Sequence, residues 1–363
     1  MKILVTGLCN NYGGIESFFF GYFREIIRQH KDITFDILGY NGVVNEEEII
    51  NSGGIVYTIN SFNNNEIDCF MKEHANDYDI VWSNQVDLST ISIVKYAKKY
   101  GVKRIILHSH CSSMMGSGLS KLKKLFFHYL NKKVISNYVT DYWACSDFAA
   151  KWLFPDSVVR EDVIYIPNAI KASKYKFDDS IRKKKRIELN CKDEFLIGFI
   201  GRLSSEKNPE FAVDVFKEME KQTKSKLIII GDGDLRDKLE NKIISDGLCE
   251  DVMMLGLRND VNELMQALDF VIIPSIFEGM PMVAIEAQSS GLPIIAAKKG
   301  ITKMVKLLPT TKLIPLSDGA KNWSNEILKN KVADRNIAFN IVTEKGFNLD
   351  YAANDLYENL LNI

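Results

Sequence analysis

Two glutamates beside a glycine-bearing turn give this 363-residue sequence its clearest potential for chemistry. In SIFEGMPMVAIEAQSSG (275–291), Glu278 and Glu286 are separated by seven residues, between a strand-like run and a helical pattern. Gly279 lets the backbone approach a ligand closely, and Pro281 suits the first turn of a helix. The N–H groups that follow would then face an anion, because a helix begins with unpaired donors. A plain strand–turn–helix unit with solvated glutamates is the alternative.

Two further loops carry groups suited to phosphate. GRLSSEKN (201–208) links a strand end to a helix, and its Arg202 and Lys207 can reach one point above the sheet. Such cations stabilise the charge that develops on a diphosphate leaving group. NYGGIE (11–16) places Gly13 and Gly14 before a helical pattern, which again suits phosphate. It is not a G-x-G-x-x-G fingerprint, which disfavours a nicotinamide dehydrogenase. An ordinary surface turn is the alternative for either loop.

Two histidines close a strand-like run in LHSH (107–110). We expect their side chains on opposite faces of the chain, one in the site and the other packed or solvated, which makes them poor joint metal ligands. Between the two, His110 is favoured over His108 for the site because it is later and nearer the loop. Asp232 and Asp234 formally match a D-x-D metal motif, but the glycine between them favours a tight turn. No other Mg²⁺ cage is visible in the sequence. We therefore expect no metal and no cofactor.

Together these segments resemble the signature of retaining glycosyltransferases of the GT-B fold, in family four, the glycosyl transferases of group 1. FEGMP…EA…GLP within 277–293 is similar to the spaced-glutamate motif of that family. GRLSSEKN is similar to its G-R-L-x-x-E-K-N loop at every fixed position. The resemblance covers nearly the whole chain and is tightest over 199–208 and 252–297. Its overall look is closest to bacterial enzymes that build capsular polysaccharide or exopolysaccharide.

The resemblance implies a role for each matching residue of the glutamate segment. Glu278 would contact hydroxyls of the donor sugar, and Glu286 would hold the ribose of the nucleotide. The backbone amides of Gly279 and Met280 would meet the diphosphate. The implied reaction moves a sugar from a nucleotide-diphosphate sugar, with UDP favoured, to an acceptor hydroxyl. The anomeric configuration would be retained by a same-face displacement, since no residue stands out as a covalent nucleophile.

The resemblance extends these roles to the other loops. Arg202 and Lys207 would bind the donor phosphates, and His110 would line the site near the donor sugar. The GDG turn at 231–233 resembles the family's own G-x-G segment. The expected catalytic residues are His110, Arg202, Lys207 and Glu278. The expected donor-binding residues are Gly13, Gly14, Gly201, Arg202, Lys207, Gly231, Glu278, Gly279, Met280, Pro281, Met282 and Glu286.

Some positions depart from the family pattern, and other functions stay open. In IPNAI (166–170), Ala169 replaces the usual glycine, and Lys171 replaces the usual aspartate. Lys303 stands where many members have glutamate, so the resemblance does not define the far side of the donor pocket. The alternatives are a GT-B sugar-nucleotide epimerase or phosphorylase, a non-catalytic partner subunit, and a metal-dependent transferase that uses Asp232 and Asp234.

Strand-like runs alternate with helical patterns and predict an α/β protein of the GT-B fold, with two Rossmann-like doubly wound parallel-sheet domains facing a central cleft. The first series contains strands at 2–6, 34–38, 55–58, 80–83, 104–108 and 141–144 and a helix over 15–29. The second begins near Glu194. The predicted domains are an acceptor-side domain (1–170), a polar Lys-rich linker (171–190), a donor-side domain (191–345) and a C-terminal helix (346–363) that packs back toward the first domain.

Bulk composition narrows the class of protein. Lys plus Arg is 46 and Asp plus Glu is 47, which argues against a nucleic-acid binder held by a general basic field. The six cysteines include no C-x-x-C pair, so reduced thiols in a cytosol fit better than zinc or disulfides. The N-terminal MKILVTG is too brief for a signal-peptide apolar region, and no run of about 18 apolar residues occurs. We expect a cytoplasmic protein.

A basic amphipathic stretch, SKLKKLFFHYLNKKV (120–134), leaves two interpretations open. It predicts a helix that rests on an anionic membrane surface, or a packed helix with a solvated lysine face. The first would place the protein at the inner face of the plasma membrane. The expected partners are a nucleotide-sugar donor and a saccharide or undecaprenyl-diphosphate-linked acceptor.

Overall fold

The alternation of strands and helices produces two compact units in a computed structural model, which describes residues 1–59, 64–114, 118–330 and 334–362. One unit comprises Met1–Asn168 with Leu349–Ile363, and the other comprises Ala169–Asn348. Each is built on one parallel sheet with helices, so the predicted pair of Rossmann-like domains is confirmed.

The first unit contains seven strands among its described residues, arranged as a single sheet. The strands are β1 (Lys2–Cys9), β2 (Thr34–Tyr40), β3 (Val56–Ile59), β4 (Ile80–Gln85), β5 (Arg104–Ser109), β6 (Asp141–Ala144) and β7 (Val163–Tyr165). The helices before the division are α1 (Gly14–Gln29), α2 (Glu46–Asn51), α3 (Asn64–His74), α4 (Ser92–Lys99), α5 (Gly118–Val134), α6 (Asp147–Leu153) and α7 (Asp156–Glu161). The strand order is β3-β2-β1-β4-β5-β6-β7, with parallel pairing.

Helices shield the central strands of this sheet from water. The strands read as continuous apolar runs, as expected when both faces of a parallel sheet are covered. The α1 helix packs an aromatic face on the sheet: Phe19 lies 6.0 Å from Phe35 and 6.0 Å from Trp82 between ring centroids. The strands β1, β4 and β5 are neighbours in this parallel sheet, so their carboxyl ends lie at the same edge.

The second unit repeats this plan with six strands in its described residues. Its helices and strands are α8 (Asp179–Glu188), β8 (Phe195–Ile200), α9 (Pro209–Glu220), β9 (Ser225–Ile230), α10 (Arg236–Ser245), β10 (Val252–Gly256), α11 (Val261–Ala267), β11 (Phe270–Ile273), α12 (Met282–Ser289), β12 (Ile294–Ala297), β13 (Thr311–Ile314), α13 (Gly319–Leu328) and α14 (Ala338–Glu344). The strand order is β10-β9-β8-β11-β12-β13, so β8 and β11 are neighbours although their sequences lie far apart.

The segment 171–190 is folded, which makes the predicted linker wrong. It contains α8, whose basic residues bind α11 and the loop after it. Arg182 donates to the carbonyls of Ala267 and Leu268, at 2.9 and 2.7 Å, and pairs with Asp269 at 2.6 Å. These carbonyls are the unpaired acceptors at the end of α11, so charge rather than apolar burial holds α8 in place. The second unit therefore begins at Ala169 rather than at residue 191.

The final helix, α15 (Leu349–Leu361), belongs to the first unit. Arg104 on β5 donates to the carbonyls of Asn359 and Leu360 at 2.8 and 2.7 Å, and it thereby caps the end of α15. Tyr357 donates to Asp32 at 2.7 Å. The last residue of the predicted helix, 363, lies outside the described residues. None of the helices in the described ranges combines the length and apolar character needed to cross a bilayer.

Candidate functional site

In the second unit, Lys207 and Glu278 form an ion pair between Nζ and Oε1. The same carboxylate oxygen accepts a hydrogen bond from Ser275 Oγ at 2.9 Å, and the Glu278 backbone N–H donates to the carbonyl of Gly300 at 2.7 Å. Both charged side chains are largely buried. Glu278 is therefore held from several directions beside the cation that the sequence predicted for the same site.

Backbone contacts join the two loops that carry these residues. Ile276 N–H donates to the carbonyl of Glu206 at 2.7 Å, and Asn208 Nδ2 donates to the carbonyl of Pro274 at 3.3 Å. The loops follow β8 and β11, which pair directly in the sheet. Ligands of open α/β sheets bind outside the carboxyl ends of strands, and these loops occupy that position.

Glycine is required where the backbones at this edge approach each other. A Cβ atom at Gly231, whose φ is +135°, would lie 2.0 Å from the Gly201 carbonyl oxygen. A Cβ atom at Gly300 would lie 2.2 Å from the Ile276 carbonyl oxygen. The side chain of Lys207 passes within 3.9 Å of the corresponding position at Gly201. The glycines thus keep the loops close enough for Lys207 to reach Glu278.

Arg202 is exposed next to this cluster. Within the described residues its guanidinium has no ion-pair or hydrogen-bond partner from the protein. Its backbone carbonyl accepts a hydrogen bond from Ser204 N–H at 3.0 Å, which fixes the start of the loop. Arg202 is therefore a cation available to an incoming anion, while Lys207 is already paired.

Glu286 lies in α12, partly buried, and its Oε1 accepts a hydrogen bond from Tyr175 at 2.9 Å. Burial raises the pKa of the Glu286 carboxyl group, and the Tyr175 hydrogen bond opposes that rise. Burial and the nearby carboxylate also raise the pKa of Tyr175. Tyr175 belongs to the segment predicted as a linker, and sequence reasoning missed it because nothing local marks a contact 111 positions away.

The turn before α12 is closely packed. Gly279, Met280 and Pro281 are buried, and Pro281 is the N-cap of the helix. Met282 is the first helical residue and is half-buried. The opening N–H groups of an α-helix have no partners within the helix, so this end is suited to an anion.

In the first unit, His110 follows β5 and bonds to the neighbouring β4 strand. Its Nε2 lies 2.8 Å from Asn84 Oδ1, while Asn84 Nδ2 donates to the carbonyl of Thr6 at 3.2 Å. Because the Asn84 amide nitrogen faces Thr6, its oxygen must face His110, and Nε2 therefore carries the proton. Burial lowers the pKa of His110 to about 3. At neutral pH the ring is uncharged, and Nδ1 can accept a hydrogen bond.

The expectation that His108 and His110 lie on opposite faces is wrong. Residues two apart in a strand share a face, and the two rings are 4.0 Å apart between centroids. His108 is fully buried against Phe18, Trp82 and Trp143. His110 is only partly buried, so of the two it is the one open to a ligand.

Gly13 and Gly14 lie at the start of α1, in the first unit. Their contact with phosphate stays a prediction. Glu16 holds this loop: its two carboxylate oxygens accept hydrogen bonds from Gly13 N–H and Cys9 N–H, both at 3.1 Å. Sequence reasoning missed that role, although a glutamate at the third helical position is a capping signal. A Cβ atom at Gly14 would meet no atom within 4 Å, so space is open above it.

Asp232 shapes the turn after β9. Its Oδ1 accepts a hydrogen bond from Gly233 N–H at 2.8 Å, and its carbonyl accepts one from Leu203 N–H at 2.9 Å. In the part of the chain that the structure describes, no group of three or more His, Cys, Asp or Glu side chains is placed to hold a metal ion. The independence of metal remains a prediction.

Comparison with known proteins relates part of this chain to a family. The family model described as glycosyl transferases group 1 matches residues 180–307. EpsF of Bacillus subtilis (strain 168), a glycosyltransferase by name, is 26% identical over 336 residues, which span 90% of this chain and 86% of EpsF. The UDP-Gal:alpha-D-GlcNAc-diphosphoundecaprenol alpha-1,3-galactosyltransferase of Escherichia coli is 34% identical over 161 residues, 42% of this chain and 41% of that enzyme.

Two solved structures share the fold of this chain. Anabaena HepE in complex with UDP superposes with a TM-score of 0.81 at 19% identity, and the match covers 100% of both chains. The lipopolysaccharide outer core galactosyltransferase WaaB superposes with a TM-score of 0.71 at 16% identity, and the match covers 99% of both chains.

Proposed function

Because the chain belongs to the glycosyl transferases of group 1, an enzyme family with the GT-B fold, we propose that it moves a sugar from a UDP-sugar to a saccharide or lipid-linked saccharide acceptor. The donor proposal draws on the names of its relatives: the E. coli enzyme is named for UDP-Gal, and HepE was solved with UDP. The same E. coli name contains a diphosphoundecaprenol acceptor. Another relative, AmsD of Erwinia amylovora, is named for amylovoran biosynthesis.

One observation carries the proposal: Lys207 and Glu278 meet at the carboxyl ends of neighbouring strands. Lys207 has three N–H donors, so it can keep its bond to Glu278 and still bind a phosphate oxygen. Arg202 supplies a second, unpaired cation for the diphosphate. The Glu278 carboxylate would contact hydroxyls of the donor sugar.

The other predicted residues have proposed roles within their own units. Glu286, ionised with the help of Tyr175, would accept hydrogen bonds from the ribose hydroxyls, and the turn at Gly279 and Met280 would face the diphosphate. His110 offers a neutral imidazole to a substrate hydroxyl. Stabilising the leaving diphosphate is the main catalytic effect, and removing one such donor costs on the order of 3 kcal/mol of barrier. Retention of configuration, independence of metal and action at the inner face of the plasma membrane are parts of the same proposal.

The test begins with donor binding. A thermal-shift panel of nucleotide sugars should single out a UDP-sugar, because a ligand at 100 times its Kd adds about 2.7 kcal/mol of stability. Sugar transfer is then measured with that donor and with candidate acceptors, in the presence and absence of EDTA. The anomeric configuration of the product is read by NMR. Transfer that EDTA abolishes, or an inverted product, would contradict those parts of the proposal.

Lys207→Ala and Glu278→Ala should each lower turnover at least about a hundredfold, because each removes a charged group that contacts the donor. The matched control is Lys238→Ala, which breaks an exposed Lys–Glu pair with Glu210 in the same unit. All three variants should keep the far-UV spectrum of the parent. Full activity in either site variant would refute the assigned roles.

A further inference from the structure

The α5 helix leaves its large apolar side chains uncovered. Leu119 is 85% exposed, Leu122 63% and Phe126 61%. Phe127, Tyr129 and Leu130 are exposed as well. Single exposed apolar residues are ordinary, but a contiguous set on one helix marks a surface for binding. These six residues are called here the outer face of α5.

The opposite side of α5 attaches the helix to the unit through polar groups. His128 is fully buried, stacks on Trp152 with ring centroids 4.0 Å apart, and accepts a hydrogen bond from Leu88 N–H at 3.0 Å. Lys132 Nζ donates to the carbonyl of Trp152 at 3.0 Å. A surface helix ordinarily packs its apolar side inward. Here the apolar side faces solvent, so apolar packing does not attach α5 to the unit, although its exposed lysines are solvated.

Positive charge surrounds this face. Residues 118–134 contain five lysines and no aspartate or glutamate, in a chain whose net charge is −1. Lys123, Lys124 and Lys133 are exposed. Lysine stems lie along apolar surface while the ammonium groups stay in water, which suits the boundary between acyl chains and headgroups. A second copy of the same face would bring lysines against lysines with no acidic residue to pair them.

We infer that the outer face of α5 binds the surface of an anionic lipid bilayer, with the helix lying in the interface. Leu122 and Phe126 enter the acyl boundary, and the exposed lysines bind lipid phosphates. The inference rests on the proposed function, since it names the surface by which the enzyme would meet a lipid-linked acceptor. It requires no change in either unit, because the face is already exposed.

The experiment is flotation of the whole chain with vesicles of phosphatidylcholine alone or mixed with phosphatidylglycerol. The parent should bind the anionic vesicles, bind them less at high salt, and bind the neutral ones weakly. Leu122→Gln/Phe126→Gln should lower binding at least tenfold. Lys123→Gln/Lys124→Gln/Lys133→Gln should lower it about a hundredfold, or about fivefold for each lysine, equivalent to about 1 kcal/mol each.

The matched control is Ile187→Gln/Ile244→Gln, which removes two apolar side chains that are 80% and 64% exposed on α8 and α10. It should bind vesicles like the parent. A parent that binds neither vesicle, or binding unchanged by the α5 variants, overturns the inference. A dimer that forms in the absence of vesicles, seen by sedimentation velocity, and that Leu122→Gln/Phe126→Gln abolishes would also overturn the inference. UDP-sugar binding, measured by thermal shift, separates the two proposals. If the parent binds no UDP-sugar, the result counts against the transferase. If it binds a UDP-sugar but no vesicles, the result counts only against the outer face of α5 as a membrane-binding surface.

Discussion

At the scale of single residues, the role proposed for Glu286 would make its contact with Tyr175 couple nucleotide binding to protonation. In the proposed role, the Glu286 carboxyl group must be ionised to accept hydrogen bonds from two ribose hydroxyls, yet burial raises its pKa. Donor affinity should therefore decline as pH falls through that raised pKa. The Tyr175 hydroxyl stabilises the ionised form by a hydrogen bond of 2.9 Å, which is worth about 1.5–3 kcal/mol when the acceptor is charged.

Tyr175→Phe should raise KM for the donor about tenfold with little change in kcat, because it removes a bond to the binding carboxylate and no contact to the reacting atoms. The decline of donor affinity with acid should also begin at a higher pH than in the parent. The measurement is KM for the donor across pH 5–8. Tyr351→Phe, a change at an exposed tyrosine of α15, is the control. Superimposable pH profiles of parent and Tyr175→Phe would remove Tyr175 from the site.

Site residues that lie in a recognisable local pattern can be predicted from the sequence. Residues whose role depends on a particular contact cannot. Glu278 and Lys207 were predicted because each lies in a local pattern whose chemistry can be read without coordinates. Ser275 and Tyr175 were missed because their value depends on the contact each makes with a glutamate. The error over His108 was one of geometry, since residues two apart share a strand face.

At the scale of elements, the same reasoning explains why the sequence predicts a linker where the structure has α8. Its sequence, DSIRKKKRIE, has few apolar residues, so periodicity gives no sign of packing. Arg182 and Lys185 hold it instead, through the end of α11 and through Asp260 at 2.6 Å. A helix held by charges is invisible to a search for apolar faces. The strands were easier to predict, because buried parallel strands are continuous apolar runs.

Two glycines with different surroundings give a matched test of the loops. Gly231→Ala should destabilise the second unit by about 2–4 kcal/mol. The φ of Gly231 is +135°, and a Cβ atom there would lie 2.0 Å from the Gly201 carbonyl oxygen, so a methyl group is excluded. Gly14→Ala should change stability by less than about 0.5 kcal/mol, because space is open there. Urea unfolding measures both.

Activity then distinguishes the roles of the two positions. If a ligand approaches the backbone at Gly14, Gly14→Ala should lower kcat/KM while the free energy of unfolding stays near that of the parent. Parental kcat/KM in Gly14→Ala would show that no substrate approaches this turn. A Gly231→Ala protein as stable as the parent would contradict the close approach of β8 and β9.

At the scale of the whole molecule, we expect His108 and His110 to make the first unit sensitive to acid. Burial holds the pKa of His108 well below its ordinary value and that of His110 at about 3, whereas unfolded histidine titrates near about 6.5. Between these values the unfolded chain binds more protons than the folded one. Stability therefore rises with pH in this window, and it is lost as pH falls from about 6.5 toward 3.

His108→Phe should reduce the loss of folding stability in acid. In the described residues neither ring nitrogen of His108 has a hydrogen-bond partner, and aromatic rings surround it, so an apolar ring replaces an unpaired polar group. We expect a Tm at pH 7.5 equal to or above that of the parent, and a smaller fall in Tm between pH 7.5 and 5. Tryptophan fluorescence reports the first unit well, because Trp82, Trp143 and Trp152 belong to it. His74→Gln, at a histidine paired with Asp77, is the control. An equal fall in parent and His108→Phe would show that His108 contributes nothing to acid unfolding, and would leave His110 and the carboxylates to account for it.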